Sequence, residues 1–141
     1  MSIKITPIEQ INKSQENTMV SFLGIEITEV TENTLSGKMP VDERHIQIMG
    51  VLNGGGSVVL AESLGSIAAN MSVDTEKYAC MGLEINANHI RPVPKGKWVY
   101  GTATALHVGK KTHIWEIKMT NEEGKLTCIS RITIAVVERF H

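Results

Sequence analysis

The stretch Gln47-Ile48-Met49-Gly50-Val51-Leu52-Asn53-Gly54-Gly55-Gly56-Ser57-Val58-Val59-Leu60-Ala61-Glu62-Ser63-Leu64-Gly65-Ser66-Ile67-Ala68-Ala69-Asn70-Met71 decides the fold of this chain. Three glycines open a long helical run. Leu60, Leu64, Ile67, Ala68 and Met71 recur at helical spacing. The opposite side is hardly polar: Val58, Ala61, Gly65 and Ala69 share it with Glu62 and Ser66. A helix apolar nearly all round is a buried helix. Glu62 is then a carboxylate on a segment leaving water, where an unpaired charge is costly.

Two readings of Glu62 stand side by side. It is an ordinary helix-edge carboxylate, solvated or paired with a Lys or Arg, or it is a catalytic base or nucleophile. Ser66 lies one turn further on and faces the same way. The glycines let a ligand approach the backbone. Free N–H groups at a helix start, with the positive dipole end, suit an oxygen that gains negative charge. The run also reads as a simple turn. The Lys-Ser/Thr ending of a phosphate-binding P-loop is absent.

The chain has 141 residues and a formal net charge of −1. That length predicts one domain, 1–141, with enough chain to bury a core. The near-neutral charge gives no general attraction to nucleic acid or anionic lipid, and with aromatics at 4 % a base-stacking platform is not expected. Cys80 and Cys128 make neither metal-ligand spacing nor a disulfide framework. No apolar run reaches a membrane span, and Lys4 precedes polar residues rather than a signal-peptide core. A cytoplasmic protein with no nucleic-acid or membrane partner and no metal is expected.

In chain order, Thr6-Pro7-Ile8-Glu9 reads as a helix start. Thr6 caps, Pro7 takes the first helical position and Glu9 completes a capping box, with an end near Asn17. Thr18 to Leu23 lead into a strand at about Ile25–Val30. Asn33 turns the chain into Thr34–Pro40. Val41 to Met49 is irregular. After the central helix, Ser72 to Lys77 is a polar loop and a strand runs near Ala79–Ile90, ended by Pro92 and Pro94. Trp98–Val108, Thr112–Thr120 and Leu126–Val137 follow as strands, with turns at Lys95-Gly96-Lys97, Gly109-Lys110 and Asn121-Glu122-Glu123-Gly124. One long buried helix with five to six antiparallel strands is an α+β domain.

The order Gln47, glycine turn, Ser57-Val58-Val59-Leu60-Ala61-Glu62-Ser63 resembles hotdog-fold acyl-CoA thioesterases of the phenylacetate-degradation type. It is most similar to their branch acting on 1,4-dihydroxy-2-naphthoyl-CoA and 4-hydroxybenzoyl-CoA. Gly82-Leu83-Glu84-Ile85-Asn86-Ala87-Asn88-His89 and Leu106-His107-Val108-Gly109 extend the likeness, over roughly residues 20–137. The resemblance implies a sheet wrapped around the central helix, a homodimer often paired into a homotetramer, and active sites at the subunit interface. It also admits a place in menaquinone synthesis, to which no residue points.

For the chemistry, Gly54 N–H is the candidate that polarises the thioester oxygen. Glu62 activates water or attacks directly, and Ser66 orients the water or the carboxylate. The resemblance implies that Gln47 reaches the thioester from the other subunit; a turn cap or a solvated side chain is the bland alternative. The branch commonly has His where this chain has Asn53. Asn cannot shuttle a proton near neutral pH, so Asn53 is expected to hold the loop or bind the carbonyl. Along the coenzyme A path the resemblance implies Gly82, His89, Ile90, Arg91 and Pro92. It adds His107, Val108, Gly109, Lys110, Lys111 and Thr112, with lysines of a hairpin turn open to being merely solvated. No cofactor is expected beyond coenzyme A in the substrate. His45, His113 and His141 carry no assigned role. Met49, Val51, Leu52, Val58 and Met71 line an apolar pocket or belong to the core.

Two other functions stay open. A hotdog hydratase or dehydratase of β-hydroxyacyl thioesters wants a paired His and acid, against which Asn53 counts. A non-catalytic acyl-CoA-binding protein would need an output segment, for which the stretch before Phe22 is too short to form a helix-turn-helix.

Overall fold

His113, Trp115, Ile117 and Met119 alternate along one strand, and all four are buried; the period of two puts them on one face of a sheet. In the computed structural model, which describes residues 2–140, helices α1 (Ile8–Ser14) and α2 (Met19–Phe22) precede strands β1 (Glu26–Val30) and β2 (Thr34–Pro40). The long helix α3 (Gly54–Asn70) follows, then β3 (Tyr78–His89), β4 (Trp98–Val108), β5 (Thr112–Thr120) and β6 (Leu126–Glu138). The six strands lie in the order β1-β2-β4-β5-β6-β3, each antiparallel to its neighbour. Helix α3 packs against β2, β3, β4, β5 and β6. This is the α+β hotdog arrangement expected above.

The seating of α3 depends on small residues beneath it. Gly37 and Gly101 face each other across β2 and β4. Leu64 fills the space over both: a Cβ on either glycine would lie 2.9 Å from one of its methyl carbons. Leu60 and Leu64 join Leu35, Met39, Trp115, Ile117 and Ile132 in the core.

An asparagine pairs with one backbone position on each edge of the sheet. Asn12 of α1 donates to Ile27 O at 3.1 Å and accepts the Ile27 N–H at 2.8 Å, standing in for a strand neighbour beside β1. Asn70 does the same for Cys80 at the start of β3, at 3.2 and 3.0 Å. Beyond Cys80 the outer edge of β3 pairs with nothing among the described residues. Met81 and Leu83 are exposed along it. A long open edge is a template for another strand.

The N-terminal helix departs from expectation. Pro7 itself occupies the N-cap position, at φ −55° and ψ 135°, with no side-chain cap. Thr6 therefore stands one residue too early, and its hydroxyl bonds back to Lys4 O at 2.9 Å. The capping box with Glu9 does not form. One forms at Thr18 and Ser21 instead, and it opens a four-residue helix where a plain lead-in was expected. The first helix ends at Ser14, and Asn17 breaks the chain between the two at φ 63°. Strand β3 stops at His89, and the ladder is lost where the Ile90 and Arg91 N–H groups share Thr127 O, at 2.8 and 3.2 Å.

Candidate active site

A self-closed loop delivers the chain to α3. Gln47 N–H donates to Val51 O and Gly50 N–H to Gln47 O, each at 2.9 Å. Gln47 Oε1 accepts the Met49 N–H, so one end of this side chain caps the turn. His45 holds the loop from behind: its buried ring Nε2 lies 2.7 Å from Leu23 O, and its carbonyl accepts the Asn53 N–H at 2.8 Å.

Asn53 is the N-cap of α3. Its Oδ1 accepts the Gly55 N–H at 2.8 Å, and its carbonyl accepts Gly56 and Ser57 at 2.8 and 3.3 Å. That leaves the Gly54 N–H, which has no acceptor among the described residues. It sits at the positive end of a 17-residue helix.

The Gly54 end of α3 lines a cleft of about 400 Å³. Gln47, Met49, Val51 and Leu52 line it from the loop, Ser57 from α3, and His89, Ile90, Arg91 and Pro92 from the end of β3. Three separate segments singled out in the sequence thus converge. The His89 ring lies over Gly54, where a Cβ would be 2.9 Å from its Nε2. Thr127 also lines the cleft. Its hydroxyl is buried without a partner, and nothing in the strand pattern of β6 marks it. Arg91 donates to Leu126 O at 2.7 Å.

A second group gathers at the other end of β3. Glu62 is half-buried, and its carboxylate lies against Gly82. It forms no ion pair among the described residues, and it is the only charged residue in α3. Ser66, one turn on, lines a separate cleft of about 550 Å³ beside the N-terminal segment, as does Met71. Val58 lines neither cleft. His107, Val108 and the turn Gly109 to Thr112 belong to this end too, since His113 pairs with Ile134 and Ile134 with Gly82. The His107 ring covers Gly109. Lys110 and Lys111 are exposed. Like His89 and Arg91, they meet no acid among the described residues.

Within one chain these two groups stay apart. Gly54 and Glu62 are separated by about 12 Å along the helix axis, too far to serve one carbonyl. His89–Pro92 and the β4–β5 turn are also at opposite ends: Ala135 joins Thr112 to Met81 and Cys128 joins Met119 to His89, about 23 Å apart along the strand.

His113 is fully buried on the core face. Trp115 donates its indole N–H to His113 Nδ1 at 3.4 Å, and Nε2 has no partner. Burial, and then the nearby His107, push its pKa below the ordinary imidazole value. His141 lies outside the described residues.

No helix among the described residues is long and apolar enough to cross a membrane. The family model of the thioesterase superfamily matches residues 49–128. The 1,4-dihydroxy-2-naphthoyl-CoA hydrolase of Escherichia coli (strain K12) is 44 % identical over 134 residues, covering 95 % of this chain and 96 % of that protein. A crystal structure of a mutant thioesterase from Pseudomonas aeruginosa matches at a TM-score of 0.92 and 46 % identity, covering 97 % of this chain and 99 % of the other. A thioesterase from Haemophilus influenzae matches at a TM-score of 0.92 and 41 % identity, covering 99 % and 96 %. By sequence and by fold alike, this chain belongs to the thioesterase superfamily, as a thioester hydrolase.

Proposed function

We propose that this hydrolase cleaves an aromatic or similarly bulky acyl-CoA, 1,4-dihydroxy-2-naphthoyl-CoA among the candidates, to free acid and coenzyme A, at sites shared by two chains. The observation that carries it is the unpaired Glu62 carboxylate on a helix otherwise given to the core. The acyl group rests on the relationship to the Escherichia coli hydrolase.

Distances support the sharing. Pairing two β3 edges antiparallel about a two-fold near Ile85 and Asn86 sets Gly82 of one chain opposite His89 of the other. Gly54, Gln47 and His89–Pro92 of one copy then meet Glu62, Ser66, Gly82 and the β4–β5 turn of the second. The exposed Met81 and Leu83 favour such a partner. So does the open edge itself. A second pairing, into a tetramer, follows the family resemblance.

In this arrangement the Gly54 N–H receives the thioester oxygen as it gains charge. Glu62 of the other chain takes a proton from the attacking water, or itself attacks the carbonyl carbon to form an anhydride that water opens. The C–S bond breaks and the coenzyme A thiolate leaves, taking up a proton. Ser66 orients the water or the carboxylate, and the free amide end of Gln47 approaches the thioester. Asn53 keeps the loop in place. His89, Arg91, Lys110, Lys111 and Thr112 accompany the coenzyme's phosphates, with Ile90, Pro92, His107, Val108 and Gly109 along its chain. The reaction uses no cofactor beyond the coenzyme A of the substrate. Two buried free thiols, Cys80 and Cys128, fit a reducing cytoplasm.

The test is Glu62→Gln, assayed for thiol release from benzoyl-type CoA esters. Turnover is expected to fall on the order of a hundredfold or more. Turnover near wild type ends this assignment. Loss of enoyl-CoA absorbance with no thiol release would point to hydration instead.

A further inference from the structure

We propose that the cleft between the N-terminal arm and α3 receives the acyl end of the substrate, and that Lys4 there binds an anionic group at the end farthest from the thioester. This rests on Glu62 being the site of thioester cleavage.

The cleft holds about 550 Å³, within the range that encloses a small organic group. Ser66, Ile67 and Asn70 of α3 and its C-cap residue Met71 line it, together with Lys4, Gln10 and Ile11 from the N-terminal segment. It begins at Ser66, about one turn or about 6 Å beyond Glu62. An acyl group whose carbonyl sits at Glu62 therefore has this space one turn further along α3.

The arm is fixed. Ile3 is 2 % exposed and part of the core. Its N–H bonds Glu32 O at 2.9 Å, and the Lys4 N–H bonds Met71 O at 2.8 Å. The backbone of Lys4 is thus tied to the C-terminal end of α3, although its side chain is exposed.

The polar groups around the cleft divide into two sets. Thr6, Ser14 and Asn70 already bond to backbone atoms. Gln15 donates to the Ser14 hydroxyl, whereas the Lys4 ammonium, the Gln10 amide and the Ser66 and Thr75 hydroxyls have no partner among the described residues. A cation left free at the far end, with an unpartnered amide in the same cleft, suits a carboxylate or phenolate. Charge fixes the direction as well. An anion beside Glu62 is repelled, whereas Met71, which anchors Lys4, lies about 13 Å further along the axis. The ring of an aromatic acyl group and the lysine side chain together cover that separation.

The experiment compares benzoyl-CoA with its para-carboxy derivative in the full chain. Wild type is expected to favour the carboxylate ester in kcat/KM. Lys4→Ala is expected to reduce the ratio of the two by on the order of fivefold, the discount reflecting solvent around the lysine. Lys4→Arg keeps the ratio, and Lys125→Ala, in an exposed hairpin turn, leaves it at the wild-type value. Equal kcat/KM for the two esters in wild type, or a ratio unmoved by Lys4→Ala, overturns the proposal. Calorimetric binding of phenacyl-CoA and its para-carboxy derivative, which cannot be hydrolysed, reads the same preference without turnover. Absence of turnover with the binding preference intact refutes the thioesterase reading at Glu62 and leaves the Lys4 site standing. Absence of the preference overturns the Lys4 site whatever the turnover.

Discussion

The Glu62 carboxylate rests directly on Gly82, at the strand edge that has no neighbour among the described residues. A methyl group on Gly82 would collide with it. The colliding atom is the far end of a flexible side chain, so the carboxylate can swing aside at small cost to the fold. With Glu62 as the proposed base or nucleophile, catalysis is less forgiving, because a displacement of one ångström at a reacting group is costly. Gly82→Ala is therefore expected to lower kcat on the order of tenfold or more, with a melting temperature close to wild type. A variant that loses stability in step with activity would contradict this account.

Asn53 offers the opposite balance. Its side chain caps α3 through Gly55, and the cap sets where the neighbouring Gly54 amide points. Asn53→Ala is expected to cost about 1 kcal/mol of stability, read as a shifted denaturant midpoint at unchanged slope. Asn53→Asp retains the cap and most of the stability. If Asn53→Ala melts like wild type, the cap is not what holds the loop.

The sheet and α3 were legible because their signals are local. Alternation in Thr112–Thr120, turn glycines and the apolar helix each speak within a few residues. Thr6 misled for a local reason too: the capping pattern was present, but Pro7 took the cap position in an extended conformation. The site was harder to read. Gln47, Gly54 and His89–Pro92 come together through the β3–β6 register and the loop before α3, which no short window contains; the glycine run at the helix start pointed to Gly54, and the family likeness supplied Gln47 and His89–Pro92. Asn12 and Asn70 look like ordinary polar helix residues, and only the folded chain makes them substitutes for strand neighbours. His45 and Thr127 carry no pattern at all, yet one braces the loop and the other lines the cleft.

Cys80 gives a prediction in pH. Burial pushes its thiol up to about 11 from the ordinary 9.0, and the residue is 6 % exposed. The thiolate is the reactive form, so the native protein is expected to react with a thiol reagent at pH 8 far more slowly than the unfolded chain. The folded thiol keeps its proton to higher pH than the unfolded one. Its share of stability is therefore complete below about pH 9 and is lost as pH rises through about 11. Relative to Cys80→Ala, the wild-type melting temperature should fall across that window. Labelling of the native protein as fast as the unfolded one would refute this.

The proposed sharing of the site between two chains makes the sharpest demand. Gly54→Ala places a Cβ against the His89 ring, and Glu62→Gln removes the carboxylate; each homodimer is expected to be nearly inactive. Refolding the two variants together forms mixed dimers. In a mixed dimer whose sites each take Gly54 from one chain and Glu62 from the other, one site carries both substitutions and its twin carries neither. Random assortment makes half the dimers mixed, so about a quarter of wild-type activity should return. If instead Gly54 and Glu62 of the same chain acted together, every site in the mixture would keep one lesion and no activity would return. The roughly 12 Å between them on one helix is the reason to expect the first result.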